Sequence, residues 1–238
     1  MVFEAVLFDF GGTLFDYYPS NAQVWVNILK KLGFSIKIDD PRLLKGLADQ
    51  WRYDETASDQ ERNALGNIDF KNPYDPTIIH WNKFVLSKFN LEGFEQVIWE
   101  EFNKREGEYK IIKETKQVLE DLDKIGIKMG MVSNTSPKSA LSRRPMMEEH
   151  GILKYFGPIL FSSELNIAKP DPRIFRMAIE ELKIPAEKII HVGDSVHADV
   201  LGAMTVGIIP LLYDPLKQSS YEEYRITNLL EIIDIVKE

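Results

Sequence analysis

Cysteine is absent from this 238-residue chain. Its absence excludes disulfide bonds, thiolate metal sites and cysteine nucleophiles, and it is consistent with a reducing compartment. The chain also lacks an apolar stretch of the ~20 residues that a membrane-spanning helix needs. Its first residues show no basic segment of the kind that opens a secretory signal. We therefore expect a cytoplasmic protein that does not associate with a membrane.

Basic residues are the minority among the charged ones. The chain has 29 lysines and arginines against 37 aspartates and glutamates, which gives a formal net charge of -8. Proteins that bind nucleic acid usually present a basic surface, so we expect no nucleic-acid partner. Hydrophobic residues make up 44% of the chain, which is enough for one large or two small packed domains. The composition leaves both a monomer and a homodimer open.

Five short apolar runs predict buried strands, and each run ends in small or polar residues. They lie at residues 5–10, 127–132, 159–161, 189–192 and 208–212. Between them apolar residues recur with helical spacing, as at Phe175, Ile179 and Leu182. Asp171 is a suitable N-cap for that helix, and Pro172 suits its first turn. Alternating strands and helices predict an α/β fold, with a Rossmann-like three-layer core around a parallel sheet.

One long stretch after the first predicted strand contains no convincing buried strand. Its apolar residues instead follow helical spacing, as at Val24 and Ile28. We therefore predict two domains. Residues 1–16 and 108–238 form the α/β core, and residues 17–107 form an inserted helical domain.

Polar motifs follow the predicted strands, at the sheet edge where ligands of open α/β sheets bind. In chain order they are Asp9-Phe10-Gly11-Gly12-Thr13, Ser133-Asn134, Lys169-Pro170 and Gly193-Asp194 with Asp199 one helical turn beyond. Carboxylates there suit a hard cation or a nucleophile. A hydroxyl with backbone N–H groups suits a phosphate, and a lysine suits either a phosphate or a cluster of carboxylates. Each motif alone is also found as an ordinary turn or a solvated charge, which is the simpler explanation of Ser133-Asn134 and Lys169-Pro170, and the motif from Gly193 to Asp199 is the strongest of the four. Their combination in this order predicts an active site.

In this order the four motifs resemble the signatures of the haloacid dehalogenase (HAD) superfamily of hydrolases. The resemblance covers the core, about residues 1–16 and 108–215, and the helical insert is similar in position and size to a cap domain of that family. It implies a Mg²⁺-dependent phosphatase. Such an enzyme would act on a small phosphorylated metabolite through an aspartyl-phosphate on Asp9.

The resemblance also implies a role for each site residue. The catalytic residues are Asp9, as nucleophile, and Lys169; the phosphate-binding residues are Ser133, Asn134 and Lys169; the Mg²⁺ ligands are Asp9, the carbonyl of Gly11, Asp194 and Asp199. Asp199 would orient metal-bound water or pair with Lys169. The arrangement is chemically reasonable, because phosphoryl transfer spreads negative charge over oxygens that a cation and fixed donors stabilise.

Gly11 departs from the family pattern. Phosphatases of the family usually carry a second aspartate at this position, two residues after the nucleophile, as general acid and base. A glycine carbonyl still permits metal binding, but glycine supplies no proton, and proton transfer typically contributes ~10²–10⁴-fold. Either another group supplies the proton, or the substrate has a good leaving group, or the enzyme is slow. His197 is a weak candidate for the substitute.

The departure keeps other functions open. Dehalogenases of the family also lack that aspartate, but they replace the carboxylate at the position of Asp194 by a neutral residue, and this chain keeps it. A HAD-like binding module without turnover is a further alternative, against which the retained carboxylates and lysine argue. Phosphonate hydrolysis would need an imine-forming lysine in the cap, and none of Lys30, Lys31 and Lys45 stands out.

We expect the cap to close over Asp9 and to set specificity. The candidates for this role are Tyr17, Tyr18, Trp51, Arg52 and Tyr53. An arginine flanked by aromatic residues suits an anionic or ring-bearing substrate, and a structural aromatic cluster is an equal alternative. The sequence does not identify the substrate.

Overall fold

The computed structural model describes residues 2–56, 82–95, 97–98, 101, 108–135 and 137–237. The chain divides into two compact units. Unit one comprises Met1–Asp16, Tyr109–Lys217 and Tyr221–Glu238, and unit two comprises Tyr17–Glu108 and Gln218–Ser220. In the described part of the chain, no helix combines the length and the apolar character needed to cross a membrane.

The strands confirm the predicted α/β fold. They are β1 (Ala5–Phe8), β2 (Phe15–Tyr18), β3 (Glu108–Ile111), β4 (Lys128–Ser133), β5 (Phe156–Phe161), β6 (Ile189–Gly193), β7 (Ile209–Tyr213) and β8 (Arg225–Ile226). Six of them form one sheet in the order β5-β4-β1-β6-β7-β8, and each neighbouring pair is parallel. All five apolar runs therefore became strands of a parallel sheet.

The helices alternate with these strands along unit one. The α-helices with defined bounds are α1 (Asn21–Lys31), α2 (Pro41–Thr56), α3 (Thr115–Lys124), α4 (Pro137–Glu149), α5 (Ser162–Leu165), α6 (Pro172–Leu182), α7 (Gly202–Met204) and α8 (Glu231–Ile235). Short 3-10 helices lie at Leu153–Tyr155 and Ala186–Lys188, and a π-helix lies at Val196–Leu201. The start of α6 confirms its predicted cap, because the Asp171 side chain accepts a hydrogen bond from the backbone N–H of Arg173. Short single-turn π-helices are frequent at functional sites.

Strand β1 lies at the centre of the sheet, and its side chains alternate between two hydrophobic cores. Val6 and Phe8 pack with residues of α3, α4 and α8, whereas Ala5 and Leu7 pack with residues of α6 and α7. All four side chains are fully buried. Helices on both faces of the sheet explain why the strand reads as a continuous apolar run, and they confirm the three-layer core.

Strands β2 and β3 form a separate two-stranded sheet that the sequence analysis did not predict. Each has four residues, and Phe15 is the single buried residue of the pair. Short strands with so few buried residues produce no apolar run in the sequence, and for this reason the sequence pattern did not predict them.

Unit two has a helical core of its own. Helix α1 is capped by Ser20, whose side chain accepts a hydrogen bond from the N–H of Gln23, and the helix buries Val24, Trp25 and Ile28. These residues pack with others from α2 and from residues 85–98. The helical spacing read from the sequence is therefore confirmed for α1. The side chains of Trp51, Arg52 and Tyr53 lie outside the described residues, whereas Tyr17 is partly buried and Tyr18 exposed.

Candidate active site

The predicted site residues of unit one lie at the carboxyl-terminal edge of the sheet. Asp9 follows β1 directly, and its N–H donates to the carbonyl of Val192 in β6 at 2.8 Å. Ser133 ends β4, and Asp194 follows β6. Because β1 lies between β4 and β6, these residues meet at one edge.

Lys169 bridges two of the carboxylates. Its Nζ lies 2.7 Å from Oδ1 of Asp9 and 2.5 Å from Oδ1 of Asp199, and its side chain is only 2% exposed. Burial alone would lower the pKa of Lys169, but the carboxylates of Asp199 and Asp9 outweigh it and raise that pKa. The lysine is therefore a fixed cation between the candidate nucleophile and Asp199.

Asp199 is held by further hydrogen bonds. Its Oδ1 lies 2.8 Å from Nε2 of His191, and its Oδ2 accepts from the N–H of Ser195 at 3.0 Å. Burial disfavours the ionised carboxylate, yet the Lys169 ammonium and the contact with His191 hold the pKa of Asp199 well below its usual range. Burial lowers the pKa of His191 despite this contact. We infer that a neutral His191 donates its Nε2–H to an ionised Asp199.

Three carboxylates meet here. Asp9, Asp194 and Asp199 each offer an oxygen, and these atoms all lie within 4.8 Å of one another. Burial, together with the negative charge of Asp9 and Asp199, raises the pKa of Asp194 well above its usual value. If all three carboxylates are ionised, their negative charge exceeds the positive charge of the one ammonium by two. An all-oxygen donor set with this excess charge fits a hard divalent cation such as Mg²⁺.

The glycines beside the cluster have different constraints. Gly12 has a φ of +74°, and a Cβ at this position would lie 2.1 Å from Oδ2 of Asp194. Only glycine suits both that backbone conformation and the close approach of the carboxylate. Gly11 is different: its φ lies outside the left-handed region, and no atom of the described residues lies within 4 Å of the position of a Cβ.

Asn134 positions Lys169. Its Oδ1 accepts from the backbone N–H of Lys169 at 2.8 Å, and its Nδ2 donates to the carbonyl of Lys169 at 2.9 Å. This reciprocal pair fixes the backbone from which the buried lysine side chain extends. The side chain of Asn134 is thus engaged with Lys169, while its assignment to phosphate binding stays a prediction.

Two residues of this edge were missed by the sequence analysis, His191 and Arg143. His191 lies within β6, and a histidine inside an apolar run was the signal available. Arg143 lies in α4, is 5% exposed, and donates from Nη1 to Oγ of Ser133 at 2.7 Å. The pair Arg143-Arg144 gave no signal, because arginines on helices usually reach solvent. His197, the weak candidate for proton transfer, is partly buried in the π-helix.

The family of the chain follows from a comparison with protein-family models. The model of the haloacid dehalogenase-like hydrolases matches residues 3–207. The chain therefore belongs to this family of hydrolases, as the four sequence motifs indicated.

Named relatives extend the comparison. The glyceraldehyde 3-phosphate phosphatase of Methanocaldococcus jannaschii is 28% identical over 128 residues, 52% of this chain and 55% of that protein, so the chain spans about half the length of this relative. The ribulose-1,5-bisphosphate 5-phosphatase of Halopiger xanaduensis is 24% identical over 232 residues, 92% of this chain and 88% of that protein. The crystal structure of the HAD-hydrolase YfnB from Bacillus subtilis, bound to magnesium, has a TM-score of 0.67 at 19% identity and covers 100% of both chains. That last likeness shows the fold.

Proposed function

We propose that the chain is a phosphatase that hydrolyses a phosphoric monoester of a small metabolite through an aspartyl-phosphate on Asp9. The observation that carries the proposal is the position of Asp9, 2.7 Å from the Lys169 ammonium and within 4.8 Å of oxygens of Asp194 and Asp199. Both relatives named above are phosphatases, which supports this substrate class. The two names differ in substrate, so the metabolite is left open.

In the proposed first step a carboxylate oxygen of Asp9 attacks phosphorus, and the bond from phosphorus to the leaving oxygen breaks. Lys169 has three N–H donors, of which two point to Asp9 and Asp199. No described residue accepts the third, which is therefore available to a phosphoryl oxygen, whose negative charge the ammonium stabilises. In the second step water attacks the aspartyl-phosphate, releases inorganic phosphate and regenerates Asp9.

Asp9, the carbonyl of Gly11 and Asp194 are the residues that would hold Mg²⁺. When bound, the cation would neutralise the excess negative charge and that of the transferring phosphoryl group. We assign Asp199 to the second of the two roles implied by the resemblance, that of partner to Lys169. Both carboxylate oxygens of Asp199 already have hydrogen-bond partners. Lys169 and His191 contact Oδ1, and the N–H of Ser195 donates to Oδ2.

A dehalogenase is the second candidate function. Such an enzyme attacks carbon without a metal, which would leave the partly buried Asp194 beside two other carboxylates with only the Lys169 ammonium to balance the three. We therefore rank it below the phosphatase, and a binding module without turnover below both. We also propose that Tyr17–Glu108 of unit two corresponds to the cap domain expected from the sequence.

One experiment separates these functions. The protein is stripped with EDTA, reloaded with Mg²⁺, and screened with p-nitrophenyl phosphate, a panel of alkyl and acyl phosphates, and 2-haloacids. We expect release of phosphate that requires Mg²⁺ and is lost in Asp9→Asn. Metal-independent release of halide would replace the phosphatase by the dehalogenase. Release of neither product would favour the binding module.

A further inference from the structure

Arg143 is a buried cation for which the described residues offer no carboxylate at ion-pair distance. Its hydrogen-bond partners are neutral: Oγ of Ser133 at 2.7 Å, the carbonyl of Asn134 at 3.4 Å and the hydroxyl of Tyr109 at 3.5 Å. Its Nε is buried and has no hydrogen-bond partner in the part of the chain that the structure describes. Burying an unpaired charge is unfavourable unless an anion completes the site. The arginine therefore needs an explanation beyond packing.

Aromatic rings surround the guanidinium. Its Cζ lies 4.5 Å from the ring centre of Phe10, 5.7 Å from that of Tyr109 and 5.8 Å from that of Phe161. Aromatic faces attract a cation but do not neutralise its charge. Phe10 directly follows Asp9, so the positive charge is held beside the candidate nucleophile.

Ser133 connects Arg143 to the reacting edge. It lies two residues beyond Met131, the register partner of Phe8, and hence beside the segment that carries Asp9. A hydroxyl has one hydrogen to donate and two lone pairs to accept with. Arg143 occupies one lone pair, and no described residue accepts the hydrogen of Ser133 Oγ. The hydroxyl hydrogen is therefore available to an acceptor that the described residues do not supply.

We propose that Arg143 is a positioning residue that fixes Ser133 as a hydrogen-bond donor to the transferring phosphoryl group. The guanidinium donates to Ser133 Oγ, which turns the hydroxyl hydrogen away from α4, and it adds a positive charge that no described carboxylate cancels. The anion that completes the site is the substrate phosphoryl group. This inference rests on the proposed phosphatase function and adds to it a residue outside the four motifs.

Single substitutions on α4 test the proposal. Arg143→Met keeps the aliphatic length and removes the charged donor, and Arg143→Lys keeps the charge. The matched control is Arg144→Met, because Arg144 is the next residue on the same helix and pairs with Glu164, with both side chains about 40% exposed. We expect kcat for p-nitrophenyl phosphate to fall by roughly 10²-fold in Arg143→Met, partly recover in Arg143→Lys, and change less than about 2-fold in Arg144→Met.

A double-mutant cycle tests whether Arg143 acts on the reaction through Ser133. If Arg143 acts through Ser133, then Arg143→Met has little further effect on kcat in a Ser133→Ala background. A purely structural role would lower kcat by the same factor in both backgrounds, and that result would overturn the proposal. Equal losses in Arg143→Met and Arg144→Met would also overturn it. Thermal melts check that each variant folds. If Arg143→Met does not fold, Arg143→Lys replaces it in the double-mutant cycle with Ser133→Ala.

Binding of inorganic orthovanadate, measured by calorimetry, gives a readout without turnover. We expect weaker binding in Arg143→Met, Arg143→Lys and Ser133→Ala, and unchanged binding in Arg144→Met. Unchanged binding in all four variants would refute the role of Arg143 even if the native protein releases phosphate. If the native protein releases none, the proposed function fails, and the vanadate measurement still decides whether Arg143 and Ser133 serve an anion.

Discussion

Unit one buries two cations at the same edge of its sheet and surrounds them in opposite ways. Lys169 lies between the carboxylates of Asp9 and Asp199, whereas Arg143 lies among aromatic rings with Ser133 as its closest partner. The positive charge of the lysine is balanced by the two carboxylates that contact it. The positive charge of the arginine has only neutral hydrogen-bond partners and aromatic rings around it, since no described carboxylate lies at ion-pair distance.

The difference divides the site into two halves. Around β1 and β6 the carboxylates outnumber the lysine and leave negative charge in excess, which suits a divalent cation. Around the end of β4 an arginine and a hydroxyl leave positive charge in excess, which suits an anion. A phosphoryl group with its metal ion needs both halves, and each half can be tested separately.

Removing the nucleophile should have the largest effect. Asp9→Asn keeps the shape and still offers Lys169 an acceptor oxygen, so the fold should persist, but the anionic nucleophile is gone. We expect Mg²⁺-dependent hydrolysis of p-nitrophenyl phosphate to fall by about 10³-fold or more. Asp123→Asn, at an exposed carboxylate of α3, should be unaffected. Undiminished activity in Asp9→Asn would remove Asp9 from the mechanism.

Lys169→Met tests the balanced cation. Without the ammonium two buried carboxylates face each other, so we expect a loss of kcat of about 10²–10³-fold. We also expect a loss of about 3–5 kcal/mol in the free energy of unfolding, measured by urea titration. Lys188→Met is the control, because Lys188 pairs with Glu4 on the surface, where both side chains are more than 40% exposed, and its pair contributes about 0–1 kcal/mol.

The raised pKa of Lys169 gives the same prediction a pH dependence. A group whose pKa is higher in the folded than in the unfolded protein stabilises the fold at pH values below its unfolded pKa, which is about 10.4 for lysine. That contribution is lost as the pH rises through the raised value. The difference in unfolding free energy between the native protein and Lys169→Met should therefore be constant from pH 7 to pH 9 and shrink in more alkaline solution. A constant difference at all pH values would contradict the pairing.

Asp194→Asn tests the excess negative charge. The raised pKa of Asp194 means that folding disfavours its ionised form, a penalty that appears as the pH rises above the usual value of about 3.9. In EDTA the variant should therefore melt at a higher temperature than the native protein, and more so at pH 8 than at pH 4. Mg²⁺ at about 100 times its dissociation constant should stabilise the native protein by about 2.7 kcal/mol. The same concentration of Mg²⁺ should hardly change the stability of Asp194→Asn. If calorimetry gives the native protein and the variant the same affinity for magnesium, the proposed metal site is refuted.

The sequence predicted the half of the site that lies in motifs at strand ends. The strands around Asp9 and Asp194 are short, apolar and bounded by glycine, so both their existence and the edge at which they end follow from local pattern. Four motifs in a fixed order then supplied the family. The pairing of Lys169 with Asp199 was one of two alternatives, and only the folded chain brings these residues within 2.5 Å.

The other half depends on tertiary packing. Arg143 is buried and Arg144 is partly exposed, although both stand next to each other in the sequence, because consecutive residues on a helix point about 100° apart. Which of the two meets Ser133 depends on how α4 lies against the sheet. His191 was hidden for a related reason: its strand was read as apolar, and its partner Asp199 comes from the π-helix that follows.

Gly11→Asp should have the smallest effect. This substitution adds a carboxyl group to the half of the site that already has negative charge in excess. The family pattern places a general acid at this position, and this chain has none. Among the described residues an aspartate fits, since Gly11 does not have a left-handed φ and none of their atoms lies within 4 Å of the Cβ position, whereas a side chain at Gly12 would collide with Asp194. If proton transfer limits the native enzyme, its rate should depend steeply on the pKa of the leaving group.

We expect Gly11→Asp to raise the rate with alkyl phosphates by about 10-fold, a part of the ~10²–10⁴-fold that acid catalysis supplies, and to change aryl phosphates less because their leaving oxygen scarcely needs a proton. Gly11→Asn is the matched control, because it has the same shape and no acid. The measurement is kcat/KM for a leaving-group series in all three proteins, with folding checked by thermal melt. A flat series in the native protein would mean that proton transfer is supplied elsewhere or is not limiting, and an equal gain in Gly11→Asn would assign the effect to shape instead of acid catalysis.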